Sequence, residues 1–208
     1  MVKVASQYKT EVRERILESA IDTFSQYGFD KTRMEDIAEA AKLAKGTLYL
    51  YFKSKEDLFY AICERDLNKL EDQLSNMFAT KEDFLSDVGT FYDNYRKMTH
   101  DGEKVIIEAL AESSHNPKLR KTLYEQKMKI YHTIIKYLDL KIEKGFFRKG
   151  IDTSAIATGL VALYDGLTIN NLFGVNEAYN KKAWTETVIA IISGMLLLTC
   201  MLTCMTYR

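Results

Sequence analysis

Proline occurs once, as Pro117, and glycine ten times in 208 residues. A sheet protein of this length needs turns at short intervals, and turns draw on those two residues. Long helices are the expectation left standing. Charge of one sign is also missing: Lys plus Arg total 29 and Asp plus Glu total 29. With no net field to draw the chain toward nucleic acid or a membrane surface, any nucleic-acid contact has to be a local patch. Cysteine is scarce. Of the three, Cys63 stands alone, and Cys200 and Cys204 lie four apart in an apolar tail, which matches no zinc or redox spacing. A reducing compartment, the cytoplasm, is expected. His100, His115 and His132 show no ligand-like spacing among themselves, so neither a metal nor a cofactor is expected. The opening MVKVASQYKTEVRER lacks the apolar core of an export signal.

One long uncharged run does exist, from Thr187 to Thr206. Its length is about that of a membrane span. It contains several threonines, a serine and a glycine, and no strong basic flank follows it, so burial in a helical dimer is expected rather than a membrane anchor. If Cys200 and Cys204 approach the dimer axis there, mild oxidation can cross-link the subunits.

Hydrophobic residues make up 47% of the chain, enough for a substantial core. Val12, Ile16, Leu17, Ala20, Ile21 and Phe24 recur at helical spacing until Gly28 stops the run. Thr32 with Glu35 has the form of a capping box and predicts a short helix from Arg33 to about Ala41. Lys45 to Phe52 reads as a third helix, and Ser54 with Asp57 caps a fourth beginning near Lys55. Further helices are predicted at about Lys55–Met77, Lys81–Thr99, Glu103–Ser113, Pro117–Lys144, Thr153–Phe173 and Lys181–Cys204. Thr80 with Asp83 caps one of these starts, and Pro117 suits a first helical turn, where its missing N–H costs nothing.

Two short helices joined by a three-residue turn, between Arg33 and Lys55, have the dimensions of a DNA-binding helix-turn-helix. Ile37, Ala38, Ala41, Leu43, Leu48 and Phe52 are spaced to pack the pair on itself and on the first helix. From Ala40 to Lys55 there are four lysines, Lys42, Lys45, Lys53 and Lys55, and no acid. Such a strip meets phosphates, and Thr47, Tyr49 and Tyr51 add neutral hydrogen bonds that fix register. Gly46 lets the backbone approach base edges closely. With Arg33 at the start of the pair, the expected DNA-binding residues are Arg33, Lys45, Gly46, Thr47, Tyr49, Tyr51, Lys53 and Lys55.

The stretch from Ile16 to Ile62, above all DIAEAAKLAKGTLYLYFKSKEDLF, closely resembles the DNA-binding domain of the TetR family of transcriptional regulators. The resemblance implies that Lys45, Gly46 and Tyr49 are recognition-helix contacts. It also implies that Tyr51 stands where a histidine often touches phosphate, and that Lys55 is a phosphate clamp. Two positions depart from the family pattern. Lys42 stands where glycine is usual in the turn and has to accept a left-handed backbone, and Ala44 stands where a serine commonly caps the recognition helix. Beyond the first sixty or so residues the resemblance is architectural: IIEALAESSHNPKLRKTL and the Asp165-Gly166-Leu167 turn look like the middle and late helices of many such regulators.

The fold expected is therefore all-α with about nine helices. A helix-turn-helix domain over residues 1–58 precedes a ligand-binding and dimerisation domain over 59–208. The expected partners are double-stranded, palindromic operator DNA, a second copy of the chain through the last two helices, and a small, lipid-like effector. Candidate effector contacts are Tyr92, Tyr95, Met98, Ile106, Leu110, Tyr124, Met128, Tyr131, Tyr164 and Leu167, because rings with polar tips beside flexible apolar groups suit a mostly apolar ligand. A long-chain fatty acid or fatty acyl-CoA is the first class expected, with Lys118, Arg120, Lys121, Lys127 and Lys129 available to the phosphates of a coenzyme A head. Aromatic or cationic compounds sensed by a regulator of multidrug efflux are the alternative. No constellation suggests catalysis. An enzyme or carrier that keeps the helical pocket without binding DNA is the remote alternative.

Overall fold

The structure is a computed structural model and describes residues 2–77 and 84–196, omitting the side chains of 2–6, 84–86, 100 and 101. Among the described residues there are eight helices and no strand. They are α1 (Val2–Tyr27), α2 (Met34–Ala40), α3 (Lys45–Tyr51), α4 (Lys55–Asn76), α5 (Phe84–Glu112), α6 (Pro117–Glu143), α7 (Thr153–Leu172) and α8 (Glu177–Met195). The expected cap at Thr80–Asp83, Leu197 to Thr206 of the uncharged run, Cys200, Cys204 and the side chain of His100 lie outside the described residues. Within them, no helix is long and apolar enough to cross a membrane.

The helices separate into two compact units, Met1–Lys69 with Met98–Lys127, and Leu70–Lys97 with Met128–Arg208. α4, α5 and α6 each supply residues to both. In the first unit Ile16, Leu17 and Phe24 of α1 pack with Ile37 of α2, Leu48 of α3, Leu58, Phe59 and Ile62 of α4, and Val105, Ala109 and Leu119. In the second, Val88 and Tyr92 of α5 pack with Leu138, Phe147, Leu167, Trp184, Val188, Ile192 and Met195.

Local chemistry explains most of the helix ends. α1 stops at Gly28, whose φ of +85° is left-handed, and an added Cβ there would stand 3.0 Å from Glu108 Oε2. That carboxylate also accepts the Phe29 N–H at 3.1 Å, tying α5 to the turn after α1. Asn116 caps α6 by accepting the Leu119 N–H, with Pro117 in the first turn. Asp152 and Asn176 cap α7 and α8.

Three expectations need correction. The capping box of α2 is not Thr32 with Glu35: the N-cap is Arg33, whose N–H donates to Asp36 Oδ2 at 2.9 Å. Thr32 is buried and donates its hydroxyl to Gly28 O at 2.7 Å, because the turn after α1 needs that bond more than a solvated helix end does. The helices expected at 81–99 and 103–113 are one, α5, since Gly102 lowers helix propensity without forcing a break. The last described helix begins at Glu177 rather than Lys181, one turn earlier, where Asn176 supplies the cap.

Candidate nucleic-acid interface

The connection between α2 and α3 is set by two backbone bonds. Leu43 N–H donates to Ala38 O at 2.9 Å, and Lys42 N–H to Glu39 O at 2.9 Å. This pair is the Schellman arrangement, which turns the chain sharply when the residue after the C-cap is left-handed. That residue is Lys42, with φ +55°, and no other non-glycine residue among those described has positive φ. Leu43 then packs against the core and fixes the exit of the turn. α3 starts at N-cap Ala44 with no side-chain cap, as its methyl group requires.

α3 is divided lengthwise. Leu48 is buried, Tyr49 and Tyr51 are packed partly against the core, and Phe52 closes the helix under the guanidinium of Arg13, 5.5 Å above its ring. The other side carries Lys45, Gly46 and Leu50, exposed to solvent, with Lys53 following and Thr47 half-covered. Gly46 is open, since an added Cβ would meet nothing within 4 Å. Leu50 was not singled out from the sequence, yet it is 78% exposed, an apolar side chain on the outward face among lysines. Its position two residues after Leu48, on the side opposite the buried positions, was the signal available.

The positive strip is tied to nearby acceptors. Lys45 pairs with Glu35 across the two helices and lies over the Tyr49 ring at 5.9 Å. The hydrogen bond between them raises the Lys45 pKa and lowers that of Glu35. Arg33 pairs with Asp36 at 3.1 Å, and that bond raises the one pKa and lowers the other. The strip therefore has no acid in sequence but does have one in space. Exposed pairs of this kind are weak and screened by salt, so a polyanion can exchange with the carboxylates. Lys53 Nζ donates to Tyr49 O at 2.9 Å. Lys55 Nζ donates to Phe29 O at 2.9 Å and Asp30 O at 2.7 Å and lies 4.9 Å from the Phe29 ring. An ammonium carries three donors, so Lys55 can hold this turn and still offer one to a phosphate.

The residues expected around an effector do not form one group. Tyr92, Tyr95 and Tyr164 come together in the second unit, with ring centroids 6.4 Å apart for Tyr92–Tyr164 and 5.0 Å for Tyr95–Tyr164. Phe91 and Trp184, which the sequence did not mark, join them: Trp184 stands 6.0 Å from Phe91, 5.9 Å from Tyr92 and 5.9 Å from Tyr164. Leu167 is buried in the same core. Met128 and Tyr131 are half-buried in that unit. Met98, Ile106, Leu110 and Tyr124 belong to the first unit, where Ile106 packs on the core and Met98, Leu110 and Tyr124 are exposed.

Residues 16–62 match the family described as bacterial regulatory proteins, tetR family, and residues 100–197 match the C-terminal domain of BetI-type transcriptional repressors. An uncharacterized HTH-type transcriptional regulator of Bacillus subtilis, YvdT, is 25% identical over 185 residues, 88% of this chain and 94% of its own. The HTH-type transcriptional regulator UidR of Escherichia coli is 25% identical over 187 residues, 88% of this chain and 92% of its own. Among solved structures, a TetR-family transcriptional regulator from Cytophaga hutchinsonii has the same fold, with a TM-score of 0.66 at 22% identity, covering 90% of this chain and 96% of that one.

Proposed function

The chain belongs to the tetR family of bacterial transcriptional regulators, and from that premise we propose that it is a cytoplasmic repressor, binding palindromic operator DNA as a dimer and releasing it when a small, largely apolar effector occupies its second unit. The observation that carries the DNA reading is the two-sided α3, one side locked in the core and the other presenting Lys45, Gly46, Leu50 and Lys53. Residues 1–58 are the DNA-reading part in this proposal, with Arg33, Lys45, Thr47, Tyr49, Tyr51, Lys53 and Lys55 on phosphates and Gly46 against the base edges. A mobility-shift titration on the DNA upstream of its own gene tests it. Binding through about 6–10 phosphates should weaken by ~10³–10⁵ between about 50 and 200 mM salt. Purified protein with no sequence preference on that DNA would falsify the regulator reading.

The dimer proposal rests on α7 and α8. The exposed side of α7 carries Ala155, Gly159, Ala162 and Gly166, then Ile169, Leu172 and Phe173. A face of small residues ending in exposed apolar ones is suited to close helix packing against a copy of itself. Two paired recognition helices then read half-sites in successive major grooves, which makes the operator a near-palindrome.

For the effector, the acyl chain of a long-chain fatty acid or fatty acyl-CoA remains the lipid-like candidate, since the second unit's core is largely apolar. The five-ring group of Phe91, Tyr92, Tyr95, Tyr164 and Trp184 favours a second reading, an aromatic compound. Either acts by shifting population between DNA-competent and DNA-incompetent states, transmitted through α4.

A further inference from the structure

Inside the second unit, buried polar atoms gather beside the aromatic group. Asn180 of α8 is fully buried; its Nδ2 donates to Asn171 Oδ1 at 2.5 Å, and its Oδ1 accepts from Asn170 Nδ2 at 3.3 Å. That chain of amides leaves Asn171 Nδ2 buried with no acceptor. Trp184, one turn along α8 and 6% exposed, has its Nε1–H in the same condition. Tyr92, 1% exposed, lies beside the Asn171 amide and makes no hydrogen bond of ordinary geometry. Arg96, one turn along α5 from Tyr92 and 7% exposed, adds positive charge to this locus.

A buried donor without an acceptor is costly, and here Tyr92 and Asn171 stand side by side with the Trp184 ring 5.9 Å from that of Tyr92. All three groups offer hydrogen, and of the charged groups near Tyr92 the buried one is the cation Arg96. The carboxylates in the neighbourhood are at the surface and engaged: Asp93 with Lys181 at 2.6 Å, and Glu177 with Arg96 at 3.7 Å. A cationic ligand would therefore meet donors where it needs acceptors. We infer that the buried locus formed by Tyr92, Asn171 and Trp184, with Arg96 beside it, receives the carboxylate of an organic acid whose apolar body lies along the Phe91, Tyr95 and Tyr164 rings. This rests on the reading that the second unit holds the effector, and it selects free acids over thioesters, neutral amides and cations.

Trp184 is the only tryptophan in the chain, so intrinsic fluorescence of the full-length protein reports from the locus itself. The probes are 3-phenylpropanoate and decanoate, with 3-phenylpropanamide and 3-phenylpropylammonium as the neutral and cationic counterparts. At least one carboxylate should change Trp184 emission saturably at millimolar concentration or below. The amide and the ammonium should bind about tenfold more weakly or worse. Tyr92→Phe should weaken the carboxylate about tenfold while raising thermal stability in its absence, because the unpartnered hydroxyl is gone. The inference is overturned if neither carboxylate binds, if the amide or ammonium binds equally well, or if Tyr92→Phe leaves carboxylate affinity unchanged. Failure of the regulator reading looks different: no specific mobility shift on upstream DNA, whatever the fluorescence shows. Release of operator DNA by a compound that leaves Trp184 emission untouched keeps the regulator and discards the acid.

Discussion

At the scale of single residues, Lys42 shows how a sequence can depart from an ideal and still fold. A left-handed backbone costs an L-residue with a Cβ roughly 1–2 kcal/mol, and Lys42 accepts it because the Schellman bonds and Leu43 packing fix the turn. Lys42→Gly should therefore raise stability by about 0.5–1 kcal/mol after the loss of chain stiffness is counted. A urea midpoint that does not move, or falls, would show the turn is not strained. Ala44→Ser should add a further ~1 kcal/mol by capping α3. On the DNA side, Lys55→Ala should flatten the salt dependence of operator binding without changing sequence preference, whereas Leu50→Ala should relax preference at one base position, where an apolar side chain meets a thymine methyl. An unchanged selected consensus after Leu50→Ala removes Leu50 from base contact. Cys63 carries a chemical prediction of its own. Burial pushes its thiol up to about 12, and the thiolate is the reactive form, so at pH 8 iodoacetamide should leave Cys63 unmodified in the folded protein and modify it in urea, as peptide mass spectrometry will show.

At the scale of elements, the unit that contains the helix-turn-helix also includes parts of α5 and α6. Glu108 of α5 takes the Phe29 N–H, Lys104 Nζ donates to Ser25 O at 2.8 Å, Gln126 of α6 donates to Glu64 at 3.0 Å, and Lys118 reaches Ser54 Oγ at 3.4 Å. These bonds hold the end of α1 and the start and middle of α4 from outside the first three helices. Glu108→Ala leaves the amide of the buried Phe29 without its acceptor, and should cost about 1–3 kcal/mol in urea unfolding. Its effect on DNA affinity at matched folding should be small, since no strip lysine is touched. A Glu108→Ala protein as stable as the parent would show that α5 is not needed to fix this turn.

At the scale of the whole molecule, the proposed pairing of two chains makes a demand on α7. Gly159 and Gly166 on α7 have open space where a Cβ would sit, so the monomer fold can accept a side chain there. A close helix bundle cannot. Gly159→Glu should keep the helical circular dichroism of the parent, yet dissociate the dimer, because a charge would be buried unpaired in the interface. Sedimentation velocity checks it, and an undiminished dimer would move the interface away from this face of α7. Operator affinity should fall with dimer loss, since a single half-site engages about half the phosphates.

What the sequence determined by itself was local. Helical periodicity, the Ser54 cap and the Pro117 start depend on residues within a turn of one another, and each is found in the structure, as are the left-handed Lys42 and the uncapped Ala44 that the family resemblance implied. The motif DIAEAAKLAKGTLYLYFKSKEDLF also fixed which face of α3 would be core. The tertiary structure decided what depends on partners distant in the chain. Thr32 left the cap because the turn after α1 claimed its hydroxyl, and Glu35 met Lys45 because two helices crossed there. The candidate effector residues divided between two units, since spacing along one helix says which side chains share a face and nothing about what that face meets. Phe91, Asn171, Asn180 and Trp184 carry no motif. Only the packing of α5, α7 and α8 makes neighbours of residues up to 93 positions apart (91 to 184), and their meaning lies in the donors that this packing leaves without acceptors.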